Sequence, residues 1–382
     1  MRKRLLRLRR DERGMSLVFV SVAFMAALSA TTLAIDVGMF MNSRSQAQNA
    51  ADAGALAGAV ALFYNDFDNR TASGPAVLSA INTASNNRVA GGTVSVTAAD
   101  VTFPLSPSGL NNRVRVKVFR TSDRNNPIPT LMGTFFGLRN VDINAVATAE
   151  VSPANAETCV MPFTIPDRWI ENQTGPWDPN DTYDPGDVYV PLRPYPDPNT
   201  NYTGYNAERD KGLEVTLKAS NETKVTASWY NPWDMPGSNS GADDYRANIG
   251  GCNSSLLHSG DQMPPEPGNM VGPTAQGMRD RIDLDRNAHW DTGCNCVVGS
   301  DPQYRVSPRI VIIPTYDPAI MAAGPQHGAN IDLKIVSFIG FFLEDMQGND
   351  VVGRVTPVSG VMDGNAGPGP NGIFPALIRL VQ

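Results

Sequence analysis

The chain has 382 residues, 41% of them hydrophobic and 18% charged, with a formal net charge of −7. Residues 1–13 hold seven of its 31 Lys and Arg but only two of its 38 Asp and Glu, so the remainder carries a net charge of −12. So acidic a remainder argues against nucleic acid as a partner, because binding it takes cations that displace counterions, and the length allows one or two ordinary domains beyond any anchor.

The first predicted element is a membrane span. Gly14 to Ile35 is an uncharged run of 22 residues, against about 20 needed to cross the hydrocarbon core as a helix. The basic segment before it, residues 1–14, has no counterpart directly after it. By the positive-inside rule the N-terminus is expected in the cytoplasm and everything after Asp36 outside it. A cleaved export signal is the alternative reading of the same run. Helix-forming sequence continues without a break, so one helix is expected from Met15 to Phe63, with the span over 15–35 and a stalk over 36–63. Within the span Ala23, Ala27, Ala30 and Ala34 form a small-residue seam. In the stalk Ala47, Ala51, Gly54, Gly58 and Ala61 repeat at spacings of 4, 3, 4 and 3, a seam suited to close approach of another backbone. Each glycine there costs about 1 kcal/mol of helix propensity against alanine, which a tight contact would offset. The seam therefore marks a helix-packing interface and leaves room for a homo-oligomer through the N-terminal helix. Ser45, Gln48, Asn49 and Asp52 form a polar stripe on the same stalk.

The run from Arg13 to Ala59 resembles a known family. Arg13-Gly14 before the span, Ile35-Asp36-Val37-Gly38 at its end and "QNAADAGALAGA" from Gln48 are similar to the N-terminal segment of the TadG-like (TadE/G-like) Flp pilus-assembly proteins of the bacterial tight-adherence system. The resemblance implies a single-pass protein of the bacterial inner membrane, an accessory of pilus assembly or secretion. Its implied partners are the membrane and pilus-assembly or pseudopilin-like proteins, with the C-terminal part periplasmic or extracellular. The sequence departs from processed prepilins at Phe19, where those typically carry a glutamate, and it lacks the Asp-x-Ser-x-Ser metal motif of the further domain found in many TadG proteins.

Beyond the stalk, residues 64–152 read as a small α+β layer in the order α-β-β-α-β. A helix over Ala76–Arg88 precedes a hairpin made by "TVSVTAADVTF" and "RVRVKVFR"; a short helix over "IPTLMGTFFGL" and a strand over "VDINAVATAEV" follow. Residues 153–382 read as a β-rich α+β domain with long loops. Nine prolines between Pro162 and Tyr202 exclude a continuous helix or central strand there. That stretch reads as an irregular loop packed by its own aromatics, Trp169, Trp177, Tyr183, Tyr189, Tyr195 and Tyr202, with calcium binding or glycan contact as alternatives. Thr274 is the expected cap of a later helix. Strands are expected over "RIVIIPTY", "IDLKIVSFIGFFLED" and "DVVGRVTPVSG", and Ile335–Phe342, too short to span a membrane, reads as a buried strand.

Four cysteines, Cys159, Cys252, Cys294 and Cys296, follow the span, and in an oxidising compartment they favour two disulfides. Cys294 and Cys296 are only two residues apart, a spacing that strains a direct bridge, so each is expected to reach back to Cys159 or Cys252. A zinc set with His258 and His289 matches no familiar module. "DLDRNAHWDTGC" begins like a calcium loop but has Ala288 at the required glycine and Cys294 at the closing glutamate. With no catalytic motif and His258, His289 and His327 isolated in sequence, the expectation is no enzyme, no cofactor and no metal: an anchored structural and interaction protein. An anchored enzyme or glycan-binding domain is the alternative.

Overall fold

In a computed structural model, residues 13–66, 69–107, 111–172, 175–190, 203–220, 224–323, 333–364 and 375–381 are described. The basic residues 1–12 and Tyr195 and Tyr202 lie outside them. The labelled elements are α1 (Arg13–Tyr64), α2 (Pro75–Asn86), β1 (Arg113–Arg120), β2 (Ile143–Pro153), β3 (Phe163–Pro166), β4 (Glu214–Ala219), β5 (Trp229–Pro232), α3 (Ala242–Gly250), α4 (Val271–Leu284), β6 (Ile310–Tyr316), β7 (Ser337–Gln347), β8 (Asp350–Thr356) and β9 (Ala376–Val381). The class is α+β with a β-rich C-terminal region, as its patterning implies. The chain forms two compact units that interleave in sequence: unit 1 takes residues 1–54, 80–101 and 116–147, and unit 2 takes 55–79, 102–115 and 148–382.

In unit 1 the dominant element is the N-terminal part of α1, a helix of 52 residues in all. Alanine-rich and free of proline, it is about 78 Å long at roughly 1.5 Å per residue. α2 opens on Pro75, whose missing N–H is an orphan at a first helical position in any case. The expected strand over 93–103 does not form as one piece. Its first residues close a two-residue hairpin, Arg88–Val89 against Gly92–Thr93, with Ala90 and Gly91 at φ 49° and 78° in the turn. Asp100 then draws the chain into a short 3-10 turn, its Oδ2 accepting from the Thr97 N–H at 2.8 Å and the Thr97 hydroxyl at 2.7 Å. The helix expected over 128–138 is a single 3-10 turn, Gly133–Phe136, ended by Gly137 at φ 81°.

Unit 2 is built on a closed six-stranded barrel with the cyclic order β4-β5-β3-β6-β7-β8. The sequence gives the β-rich character of this region but not the closure. Closure comes from two parallel pairings, β3 with β6 and β4 with β5, which join antiparallel pairs into a ring without edges. β7 is the buried strand its composition implies, with Phe338, Phe341 and Phe342 fully buried. Where β7 and β8 cross closely, a side chain has no room: a Cβ on Gly353 would stand 2.5 Å from the Phe341 ring. Outside the barrel, α3 and α4 meet so tightly that a Cβ on Gly277 would lie 2.7 Å from Ile249 Cγ2. α4 begins at Val271, before Thr274, whose hydroxyl donates to the Met270 carbonyl at 2.7 Å instead of capping the helix. β9 pairs antiparallel with β2, Ile378 against Val151.

The cysteine pairing corrects one expectation. Cys159 bonds Cys252, and Cys294 bonds Cys296 directly. Spacing alone does not fix the backbone conformation between the second pair. Asn295 instead takes a left-handed conformation (φ 51°) in the turn of the hairpin His289–Asp291 with Cys296–Val298, which sets the two Cα atoms 5.3 Å apart, within disulfide reach. With all four thiols consumed, the zinc alternative through them is closed.

Candidate functional site

The N-terminal half of α1 inverts the usual distribution of side chains. Leu17, Phe19, Phe24, Met25 and Leu33 are exposed, and so are Ala23, Ala27, Ala30 and Ala34. This is a helix long and apolar enough to cross a membrane, and its most apolar stretch is covered by none of the other described residues. Its few hydroxyls turn inward on the helix itself: Ser21, Ser29 and Thr31 donate to the carbonyls of Leu17, Met25 and Ala27, each at 2.8 Å. Hydrocarbon offers polar groups no other partner.

Asp36, the first charge after this run, is buried rather than solvated. Its carboxylate accepts from the backbone N–H of Leu131 at 3.1 Å, of Met132 at 3.1 Å and of Gly133 at 2.6 Å. These are donors at the start of the Gly133–Phe136 turn, which a carboxylate satisfies well. The loop is closed on its other side by Thr130, whose N–H donates to the Arg139 carbonyl at 3.0 Å, and by Leu138, whose N–H donates to Gly133 at 2.9 Å. Asp36 thus ties residues 131–133 to the point where the apolar run ends.

One turn further, the character of α1 changes. Ser43, Ala47, Ala50, Ala51, Gly54, Ala55, Gly58, Ala59 and Ala61 are all buried. At Gly54 a Cβ would stand 2.9 Å from the Ala84 Cβ, 3.1 Å from the Ala80 carbonyl oxygen and 3.4 Å from Val116 Cγ1. In unit 2, the Ser79 hydroxyl of α2 donates to the Ala57 carbonyl of α1 at 3.2 Å. The small-residue seam is therefore filled by this chain, with α2 lying against Gly54, and those residues offer no free face to a second copy. The polar stripe is used locally as well: the Gln48 amide donates to Asp52 at 2.8 Å and to the Val146 carbonyl at 3.1 Å.

The exposed apolar run, the buried Asp36 and the small-residue helix all fall within one stretch that resembles a known family. Residues 14–61 match the Tad family, TadE/G-like Flp pilus assembly. The TadE/G-like segment thus covers the apolar run, Asp36 and all five seam residues. No curated protein and no solved structure matches the chain.

In unit 2 the polar side chains of the Pro-rich stretch are engaged with one another. The Pro-rich stretch is packed by its aromatics: Trp169 meets Trp177 and Tyr183 edge-on, Trp177 meets Tyr205, and the Arg168 guanidinium lies 4.3 Å from the Trp177 ring centre. Asp167 is pushed up to about 6 by burial, although it accepts from the Tyr189 hydroxyl at 2.9 Å, the Tyr205 N–H at 3.0 Å and the Arg168 N–H at 3.0 Å. Asp210 is held by Arg168 and Arg209. Among the described residues no group of three or more His, Cys, Asp or Glu is gathered as a metal site would require.

A cavity of about 450 Å³ in unit 2 is lined by residues including Tyr64, Lys211, Tyr304, Arg305 and Ile310. Lys211 is committed within it, donating to the Asn65 carbonyl at 2.9 Å and to Tyr64, so that it finishes the C-terminus of α1. Sequence reasoning assigned no role to the buried carboxyls, of which Asp36 and Glu157 are the most telling. Asp36 had a signal, since a charge placed directly after a span must find a partner or water. Glu157 had none: it is 3% exposed, its Oε1 has no hydrogen-bond partner, and burial pushes its carboxyl up to about 8.

Proposed function

We propose that this chain is a membrane-anchored accessory of Flp-type pilus assembly, with its N-terminus in the cytoplasm and the barrel-bearing unit exported, acting by assembly rather than by catalysis. The observation that carries this reading is the coincidence of the family match at residues 14–61 with an apolar helix whose bulky side chains are uncovered. The basic segment at residues 2–13 and the lack of a comparable one after Asp36 support the orientation. Because Ala47, Ala51, Gly54, Gly58 and Ala61 are covered within the chain, contacts with pseudopilin-like partners fall on the exposed face of α1 before Ser43, where Ala23, Ala27, Ala30 and Ala34 allow close helix approach. Two disulfides suit an exported domain.

The test is a pair of reporters fused after Gln382, one active only in the cytoplasm and one only outside it, together with mass spectrometry of proteins that co-purify from native membranes. Activity of the outside reporter and recovery of pilus-assembly proteins are expected. A working cytoplasmic reporter reverses the orientation. Recovery without pilus components, or glycan hydrolysis by the purified full chain, replaces assembly with an anchored enzyme.

A further inference from the structure

The loop held by Asp36 carries more apolar surface than its position in water would allow. Leu131 is 59% exposed, Phe135 82% and Leu138 63%, although the backbone beneath them is fixed by the hydrogen bonds of Asp36, Thr130 and Gly133. These side chains are turned outward on a closed turn, where collapse onto a nearby core would be the ordinary outcome. On α1, just after Asp36, Val37 and Met41, one turn apart, are both exposed as well, Met41 at 72%. Arg139, next to Leu138, is exposed too.

Their level along α1 identifies what covers them. Asp36 follows directly on the last residue of the uncharged run, and it binds residues 131–133. Met41 stands roughly 9 Å beyond Ile35 at about 1.5 Å per residue, close to the depth of the polar layer that flanks the hydrocarbon core, roughly 5–8 Å on each side. Aromatic and aliphatic side chains with a cation beside them suit that layer, the rings at headgroup depth and the guanidinium at the phosphates.

We infer that this loop dips the side chains of Leu131, Phe135 and Leu138 into the bilayer interface, making a second membrane contact beside the span and using Asp36 to hold it at that depth. This rests on reading the apolar half of α1 as a span. The contact would fix how unit 1 stands on the membrane, which a single helix with a flexible exit does not.

Full-length protein carrying a single introduced cysteine is labelled with an environment-sensitive thiol fluorophore; the native cysteines are all in disulfides and do not compete. The variants are Phe135→Cys, Leu138→Cys, Phe24→Cys in the span and Asp123→Cys, an exposed control in unit 1. Each is placed in phosphatidylcholine vesicles whose acyl chains carry a nitroxide quencher either near the headgroup or at mid-chain. Labels at 135 and 138 are expected to be quenched severalfold more than the label at 123, and more by the shallow quencher, with the label at 24 favouring the deep one. Quenching at 24 while 135 and 138 behave like 123 overturns the inference and leaves the span intact. Shielding of 135 and 138 from aqueous iodide without lipid quenching overturns it in favour of a protein partner. Absence of quenching at 24 removes the span and the inference together.

Discussion

Asp36 in unit 1 and Glu157 in unit 2 are both buried carboxyls, and their surroundings are opposite. Asp36 faces three backbone N–H groups at the start of a turn, so its charge is put to use as an acceptor that holds a loop in place. Glu157 sits in the short strand Ala156–Glu157, paired with Leu257–His258, and its Oε1 meets no donor. A backbone hydrogen bond from Thr158 opposes the shift, but burial outweighs it and favours the protonated state. Depth alone therefore does not decide what a buried acid does; the donors around it do.

The largest expected effect is a pH dependence of stability at Glu157. Glu157 has a folded-state value of about 8 against an ordinary 4.5, raised by burial, so the folded state holds a proton that the unfolded chain releases first. Its contribution to stability is full below about pH 4.5, falls as pH rises through the window to about 8, and is flat above that. At about 1.4 kcal/mol per pH unit the loss by neutral pH is on the order of 3 kcal/mol. Glu157→Gln should remove that slope: thermal unfolding in detergent should show the variant more stable than wild type near pH 8 and indistinguishable near pH 4. Parallel curves for the two proteins would mean that the carboxyl is charged in the folded state, with a further donor or water at Oε1.

At the other acid, Asp36→Ala strands three donors and should cost about 1–3 kcal/mol. The loss should be local. Hydrogen exchange at the amides of Leu131, Met132 and Gly133 should accelerate while the barrel strands keep their protection, and Asp36→Asn should retain part of it. Unchanged protection in Asp36→Ala would show that the loop is held by Thr130 and Leu138 alone.

Size can be tested in the same way as charge. Gly54→Leu places a side chain where even a Cβ would stand 2.9 Å from Ala84. It should destabilise by about 1–3 kcal/mol through overpacking, although leucine is the better helix former by nearly 1 kcal/mol. The sign of the change in melting temperature decides whether the contact with α2 is as close as described. The smallest effect is expected at Leu33→Ala, on the exposed half of α1. Detergent-solubilised protein should melt within about 0.5 kcal/mol of wild type, as surface changes do; a large loss would mean that this half packs against protein.

Much of the N-terminal region was readable from its residues because hydropathy and helix propensity act locally. An uncharged run of 22 residues must find an apolar solvent wherever it lies, and alanine-rich sequence without proline is helical in most settings. The small-residue seam was readable as a tight contact, but its partner was not, since Ala80 and Ala84 could be assigned to it only once the chain had turned back. The aromatic packing of Trp169, Trp177 and Tyr183 was visible in composition, whereas the ion pairs of Asp210 with Arg168 and Arg209 were not.

What the sequence by itself determined was the exposed apolar helix, its position before an acidic remainder, the β-rich character of the C-terminal region and the buried strand at Ile335–Phe342. Each follows from a property that a short window of residues carries alone: bulk hydrophobicity, charge or β-branching. Tertiary structure decided the rest. The closed barrel depends on two parallel pairings, one of them between β3 and β6, strands far apart in the chain. The Cys294–Cys296 bridge depends on one left-handed residue in a hairpin turn. The opposite fates of Asp36 and Glu157 depend on donors that lie 95 residues away in the first case and are missing at Oε1 in the second. Each depends on backbone conformation or on partners that folding supplies or withholds, which the hydropathy, charge and β-branching of a short window do not encode.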